Sequence, residues 1–530
     1  MVACLEQSSM NKTPLRSEIF SNVDAAWLHM ESPTNSAMIN GVLMFAEPID
    51  MPRLRETIIT RLLKYDRFRM RIQEADGRFG LPRWVEDTEF DLDFHLRSIR
   101  LPDPGDQVEL QRLVGELMST QLDFTKPLWQ FHYVENYGNG SAIIARLHHC
   151  IADGLALVQV LLSLTDELPE PPAPSPMEEE AEPEMSPFAR LIYPAVAAFV
   201  KADRAWQKSR EAVYEGFDFL TSPTRVLDAG RLAASSLRSL AWLLLLPPDR
   251  KTIFKGKCDI EKVAAWSGTL QLEDVKAVGQ ILGCTINDVL LASVTGALRR
   301  YLERQGEPVI GLNIRAVVPV NLRAPDELDS LGNRFGLVFL SLPIGIVDPV
   351  RRLRVLKQRM DDLKNSPQAV VAFGILNAMG MTPQQIEKII IQIFGLKGTA
   401  VMTNVPGPRQ KLYLAGAALD DLIFWVPSPA NLAMGVSIIS YNGRVTLGVA
   451  TDASLIPDPE AILKDFHDEF AFLRRWGRPP EQIRALDKKD AEQSGLKIQP
   501  GRCQAITKSG KPCKNPALDG LTTCRVHTPP

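Results

Sequence analysis

A chain of 530 residues, 45% apolar and 23% charged, is long enough for two to four domains and carries enough apolar surface for a large core. A formal net charge of −3 excludes nucleic-acid binding driven by bulk charge. Of seven cysteines, Cys4, Cys150, Cys258 and Cys284 stand singly while Cys503, Cys513 and Cys524 crowd the last stretch, which argues against a disulfide framework and for a reducing compartment. The first 30 residues include Glu6, Lys12, Arg16, Glu18 and Asp24 and no continuous apolar run, so no secretory leader is expected. A membrane span needs roughly 20 apolar residues. The nearest run, 240–246, is stopped by Pro247 and Pro248. The expectation is a cytoplasmic protein, with peripheral contact to the inner membrane or to lipid inclusions left open.

In chain order, residues 1–14 read as a loose terminus and 15–165 as a first compact region. Residues 166–187, DELPEPPAPSPMEEEAEPEMSP, hold no Lys or Arg. Such a segment repels itself and buries little, so an extended linker is expected. Residues 188–251 read as a helical connector, with helical apolar spacing in FARLIYPAVAAFV and LRSLAWLLLL. A second compact region, 252–477, mixes helices (LEDVKAVGQILG, NDVLLASVTGALRRYLERQ) with strands (IRAVVPVNL, LVFLSLPI). Asn442-Gly443 within MGVSIISYNGRVTLGVATD is a strong hairpin signal. Residues 478–530 are a polar tail. Strands and helices alternate without a strict βαβ rhythm, which predicts a mixed α/β or α+β fold.

The chemistry concentrates in SAIIARLHHCIADGLALVQVLLSL, residues 141–164. Its first part reads as a strand, paired through the turn at 136–140 with LWQFHYVE, whose Trp129, Phe131 and Tyr133 alternate onto one face. Asp153-Gly154 breaks the chain, and 155–164 reads as a buried helix. His148 and His149 therefore stand at a strand end, before a turn into a helix. Alternation puts His149 on the apolar face with Ile143, Ala145 and Leu147, and His148 on the face of Arg146. A desolvated imidazole stays neutral, as a general base must. The bland reading of such a pair is packing. Cys150 is a nucleophile by type alone. Asn287-Asp288 opens an apolar helix and reads blandly as an N-cap.

HHCIADG, residues 148–154, matches HHxxxDG, the signature of CoA-dependent acyltransferases and of peptide-synthetase condensation domains. With PLW at 127–129, NDVLLA at 287–292, GALRRYL at 296–302, VPVNLR at 318–323, NVPGP at 404–408, RFRMRI at 67–72 and PRWVEDTEFDLDFHL at 82–96, it resembles the bacterial wax ester synthase/diacylglycerol acyltransferase family over about 15–475. The resemblance implies two chloramphenicol-acetyltransferase-like subdomains with an active-site channel between them. It implies acyl transfer from acyl-CoA to the hydroxyl of diacylglycerol or a long-chain alcohol, with acyl-CoA a substrate and no catalytic cofactor. His149 takes the base role in that pattern and can return the proton to the departing CoA sulfur. With no Ser or Thr nucleophile in the motif, direct transfer in a ternary complex is favoured. His148 supports substrate or only packs. Asp153 is expected in a structural ion pair more than in a triad. Gly154 is expected to supply a backbone torsion or a close approach. Asn287 and Asp288 support the site more than they act directly, Cys150 falls at a variable position, and NVPGP is a rigid turn. A condensation-type acyltransferase with another acceptor, and a non-catalytic lipid-associated protein, are the competing readings.

The resemblance ends before the tail. Cys503, Cys513, Cys524 and His527 make a four-ligand set, and Cys524 and His527 have the short spacing that lets two ligands share a metal. The segment resembles small Cys₃His modules appended to varied bacterial proteins, which implies a structural zinc. From Lys497 the tail holds six Lys/Arg against one Asp. Contact with anionic lipid is compatible with that, and nucleic acid is not the expected partner.

Overall fold

The computed structural model describes residues 16–75, 80–170, 245–323, 331–364, 366–379 and 384–476. The expected loose terminus, most of the acidic linker, the connector as far as 244 and the tail with Cys503, Cys513, Cys524 and His527 lie outside these residues. The described residues up to Leu473 belong to one compact unit.

Among the described residues, seven strands precede the linker: β1 (Ser17–Ile19), β2 (Met38–Phe45), β3 (Met70–Gln73), β4 (Arg83–Glu86), β5 (Leu96–Ile99), β6 (Trp129–Tyr137) and β7 (Gly140–His148). Nine follow it: β8 (Lys262–Trp266), β9 (Leu270–Gln271), β10 (Ile314–Asn321), β11 (Phe335–Leu342), β12 (Ala400–Pro406), β13 (Tyr413–Leu414), β14 (Ala417–Trp425), β15 (Met434–Tyr441) and β16 (Arg444–Asp452). They form a small sheet β1-β4-β3, a sheet β13-β14-β2-β7-β6-β5, and a sheet β11-β10-β12-β15-β16-β8 with β9 beside β16. This is the mixed α/β fold expected.

Local chemistry explains several boundaries. Asn442 and Gly443 both adopt positive φ, 47° and 75°, which closes the two-residue β15–β16 hairpin with Tyr441 opposite Arg444. Helix Asn22–Met30 is capped by Ser21, whose Oγ accepts from the Asp24 N–H at 3.1 Å. Helix Leu272–Leu282 ends on left-handed Gly283.

The two sequence halves interlock. Strands β13 and β14 come from the second half yet complete the sheet of the first, with Trp425 opposite Asn40. In return, helix Gln107–Met118 of the first half packs on β8: Ser119 Oγ accepts from Lys262 N–H at 2.8 Å, and the Gln107 amide donates to Trp266 O at 3.0 Å. One apolar core therefore holds Ile39 and Ile143 together with Phe335 and Trp425. The start of the expected linker is also held in place. Asp166 and Tyr413 exchange backbone hydrogen bonds of 2.7 and 2.8 Å, Arg61 pairs with Asp166 at 2.9 Å, and Arg53 donates to Pro169 O at 2.6 Å.

Among the described residues no single helix is long and apolar enough to cross a membrane.

Candidate active site

The hairpin expected around the histidine pair is present. β6 and β7 run antiparallel, with Trp129 opposite Leu147 and Tyr137 opposite Gly140. Every residue of β7 is buried, and β2 and β6 flank it. The Arg146 and His148 face, which alternation sets opposite the apolar one, is equally buried. Arg146 donates to the Thr120 carbonyl and its guanidinium lies against Gln130 and Met38.

His149 lies one residue beyond β7 and its N–H donates to Ala37 O at 2.8 Å. The imidazole is stacked on Trp27, centroids 3.9 Å apart and planes 21° from parallel, with Phe335 at 5.4 Å. Its Nδ1 has no hydrogen-bond partner among the described residues. Burial pushes its pKa down to about 4, against a weaker upward pull from Asp153. The ring is therefore neutral near pH 7.

His148 is turned elsewhere. Its Nδ1 accepts from the Cys150 N–H at 3.2 Å, which leaves the proton on Nε2, 3.5 Å from Glu31 Oε2. Glu31 also accepts from Gln121 at 3.0 Å and from the Ala37 N–H. Burial would raise the Glu31 carboxyl, but these donors outweigh it and hold the pKa below the usual value. Burial pushes the Cys150 thiol well up, which keeps it protonated and removes its nucleophilic form.

The HHxxxDG turn is fastened to its neighbours at His149, Ile151, Ala152 and Asp153. Asn333 Nδ2 donates to His149 O at 2.9 Å and to Asp24 Oδ1 at 2.7 Å. Arg67 donates to Ile151 O at 2.8 Å and pairs with Asp24 at 3.1 Å. Ala152 bridges to Gly332, whose carbonyl accepts from the Asp153 N–H at 3.2 Å. Gly332 sits at φ +106°, a conformation that side chains disfavour.

Asp153 does two structural jobs. Oδ1 caps helix Gly154–Ser163 by accepting from Ala156 N–H at 3.1 Å. Oδ2 forms a buried ion pair with Arg323 and accepts from Arg334 N–H at 3.0 Å. No triad hydrogen bond to His149 is among the contacts of Asp153. At Gly154 a Cβ would lie 3.1 Å from Val426 Cγ1, a close approach, and its φ is not positive.

Asn287 and Asp288 belong to a helix start. Thr285, not Asn287, is the N-cap of Ile286–Arg304, in a capping box with Asp288 (2.9 and 3.2 Å). Asn287 Oδ1 accepts from Asn404 Nδ2 at 2.8 Å, which ties this motif to NVPGP on β12. Trp129 of PLW is fully buried and donates to Phe68 O at 2.9 Å.

Trp27, Asp24, Asn333 and the partner role of Arg323 were not legible in the sequence. Arg323 closes the VPVNLR motif, but 170 residues separate it from Asp153. Replacing Trp27 tests the stack. Trp27→Phe keeps a ring against the imidazole and should retain turnover within about tenfold, since stacking adds only about 0.5–1.5 kcal/mol beyond burial. Trp27→Ala opens a cavity costing about 3–5 kcal/mol and should lower kcat and melting temperature together. Equal kcat in both variants would remove any role for the stack.

The family model for the wax ester synthase/diacylglycerol acyltransferase catalytic domain matches residues 20–290, and that for the C-terminal domain of the same family matches 331–474. The probable diacylglycerol O-acyltransferase tgs1 of Mycobacterium tuberculosis is 28% identical over 464 residues, covering 86% of this chain and 95% of that protein. A putative diacylglycerol O-acyltransferase of the same species is 29% identical over 470 residues, covering 86% and 95%. The wax ester synthase/diacylglycerol acyltransferase from Marinobacter aquaeolei VT8 shares the fold, with TM-score 0.60, 21% identity, and 87% of this chain and 100% of that chain covered. The first condensation domain of the CDA synthetase also shares it, with TM-score 0.53, 14% identity, and 88% and 98% covered.

The matched domains define an acyltransferase. The chain belongs to the wax ester synthase/diacylglycerol acyltransferase family.

Proposed function

We propose that this acyltransferase moves a long-chain fatty acyl group from acyl-CoA to the hydroxyl of diacylglycerol or a long-chain alcohol, with His149 as general base. The observation that carries the reading is the imidazole of His149, buried and neutral at the end of β7 in a turn fastened by Arg67, Asn333 and Arg323. The names of the mycobacterial relatives favour diacylglycerol as acceptor.

An alcohol is a poor nucleophile at neutral pH because its proton stays on. His149 takes that proton as the oxygen attacks the thioester carbonyl carbon. The C–S bond then breaks, and the proton passes from the imidazole to the CoA sulfur. The burial that keeps the free ring neutral also makes imidazolium costly there, which favours prompt return of the proton. His148, Asp153 and Gly154 shape the turn, and Asn287 and Asp288 are support for the site at the helix start. Acyl-CoA is the donor substrate and no catalytic cofactor enters. A cytoplasmic enzyme is the compartment this donor and the unpaired cysteines fit.

Labelled palmitoyl-CoA offered with diacylglycerol and with hexadecanol separately tests the reading. Ester is expected with diacylglycerol at least. No ester with either acceptor would sink it, and amide formation with an amine acceptor would favour condensation-type chemistry.

The depressed pKa adds a pH test. The acid limb of kcat/KM belongs near pH 4, so activity should hold level between about pH 8 and 5. Stability follows the opposite of the usual histidine case. Between the ordinary value of 6.5 and about 4 the unfolded chain takes up a proton that folded His149 refuses, so stability falls as pH drops through that window. A half-maximal loss of activity near pH 6.5 would show a solvated imidazole instead.

For the tail, we propose that Cys503, Cys513, Cys524 and His527 hold one structural zinc. Thiolate and imidazole suit tetrahedral zinc, and a segment this short needs metal to fold. Truncation near residue 480 should keep acyl transfer and lose the metal. Metal analysis of full-length and truncated protein decides it: equal zinc in both, or none in the full-length chain purified under reducing conditions, rules the site out.

A further inference from the structure

Helix Gln384–Gly395 presents a stripe that the rest of the described fold does not cover. Ile389, Ile393 and Leu396, spaced by four and three residues, are 57%, 43% and 54% exposed. The other face is spent on packing: Ile390 and Ile391 join the main core and Phe394 a smaller cluster with Val317 and Phe339. The segment 245–257 runs along the end of this helix. Asp249 N–H donates to Leu396 O at 2.8 Å, and Lys255 Nζ to the same carbonyl at 2.8 Å. It brings Leu245, 80% exposed, together with the exposed cations Arg250 and Lys251. Lys388 is exposed on the helix itself.

The two acids carried by the helix and by segment 245–257 are turned inward. Glu387, the helix's only carboxylate, is fully buried on His29 at 2.7 Å, and Asp249 is buried against Thr399 at 2.6 Å. What remains is an isoleucine and leucine stripe rimmed by cations. An apolar stripe with a basic rim matches the surface of an anionic bilayer, where apolar side chains enter the headgroup boundary and cations meet lipid phosphates. We propose that this stripe docks the protein on an anionic lipid surface. The choice of partner rests on the acyl-transfer reading, whose acceptors are lipids. The face also adjoins the site, since Glu387 holds His29, two residues along the helix from Trp27, which stacks on His149.

The test uses the full-length chain with phosphatidylcholine vesicles, plain or containing about one third phosphatidylglycerol. The wild type should co-sediment with the anionic vesicles, less so as salt rises. Ile389→Glu/Ile393→Glu, and separately Lys388→Glu/Lys251→Glu, should each weaken that binding by about tenfold. Turnover of palmitoyl-CoA with a short soluble alcohol should be unchanged in both. Wild-type vesicle binding by the isoleucine variant overturns the proposal. So does a change of oligomeric state in that variant, which would make the stripe a contact between copies. Absence of soluble-substrate turnover in the wild type would count against the acyl-transfer reading alone, leaving the vesicle result to stand separately.

Discussion

His149→Ala is expected to lower acyl transfer by about 10²–10⁴-fold, the contribution of a positioned general base. The folded chain should tolerate it. The ring's Nδ1 has no hydrogen-bond partner among the described residues, and the turn is held through its own backbone by Asn333, Arg67 and Gly332, contacts that alanine keeps. The loss is of packing against Trp27 and Phe335, so melting should fall by only a few degrees. Activity and melting measured on one preparation separate the two effects. A variant that keeps more than about a tenth of wild-type turnover removes His149 from base catalysis.

Asp153→Asn is expected to give a large loss of stability. Asparagine still caps helix Gly154–Ser163, so the cap is preserved. What disappears is the charge opposite Arg323, whose side chain is 1% exposed. A buried charge left without its partner costs about 3–5 kcal/mol. Turnover and melting should therefore fall together. Arg323→Gln combined with Asp153→Asn should recover part of the loss, because the pair is removed as a pair, and a double-mutant cycle reads the coupling. Unchanged melting with activity down several orders of magnitude would mean that Asp153 orients the imidazole as a triad member does.

The features legible in the sequence were those with local causes. The β6–β7 hairpin, the Asn442-Gly443 turn and the placement of His149 follow from alternation and turn chemistry within about 20 residues. The neutrality of His149 comes from burial that both faces of β7 share, so alternation alone does not single it out. Features that depend on distant partners were not legible. The apolar strand AALDDLIFW carries no mark of which sheet it joins, and it crosses to β2 of the first half. Arg323 and Asn333 reach the HHxxxDG turn only through that interlocked packing. Trp27 lies in a helix whose burial on nearly every side hides any one-sided pattern. Asn287-Asp288 reads as a cap two positions out of place, because Thr285 supplies the oxygen and Asp288 completes the box.

Direct transfer over a neutral His149 ties CoA release to ester formation, and following both together in the wild type tests it most directly. With palmitoyl-CoA and diacylglycerol, one thiol should appear for each ester formed, and without a hydroxyl acceptor almost none. A burst of thiol in the absence of acceptor would establish an acyl-enzyme and contradict the ternary mechanism.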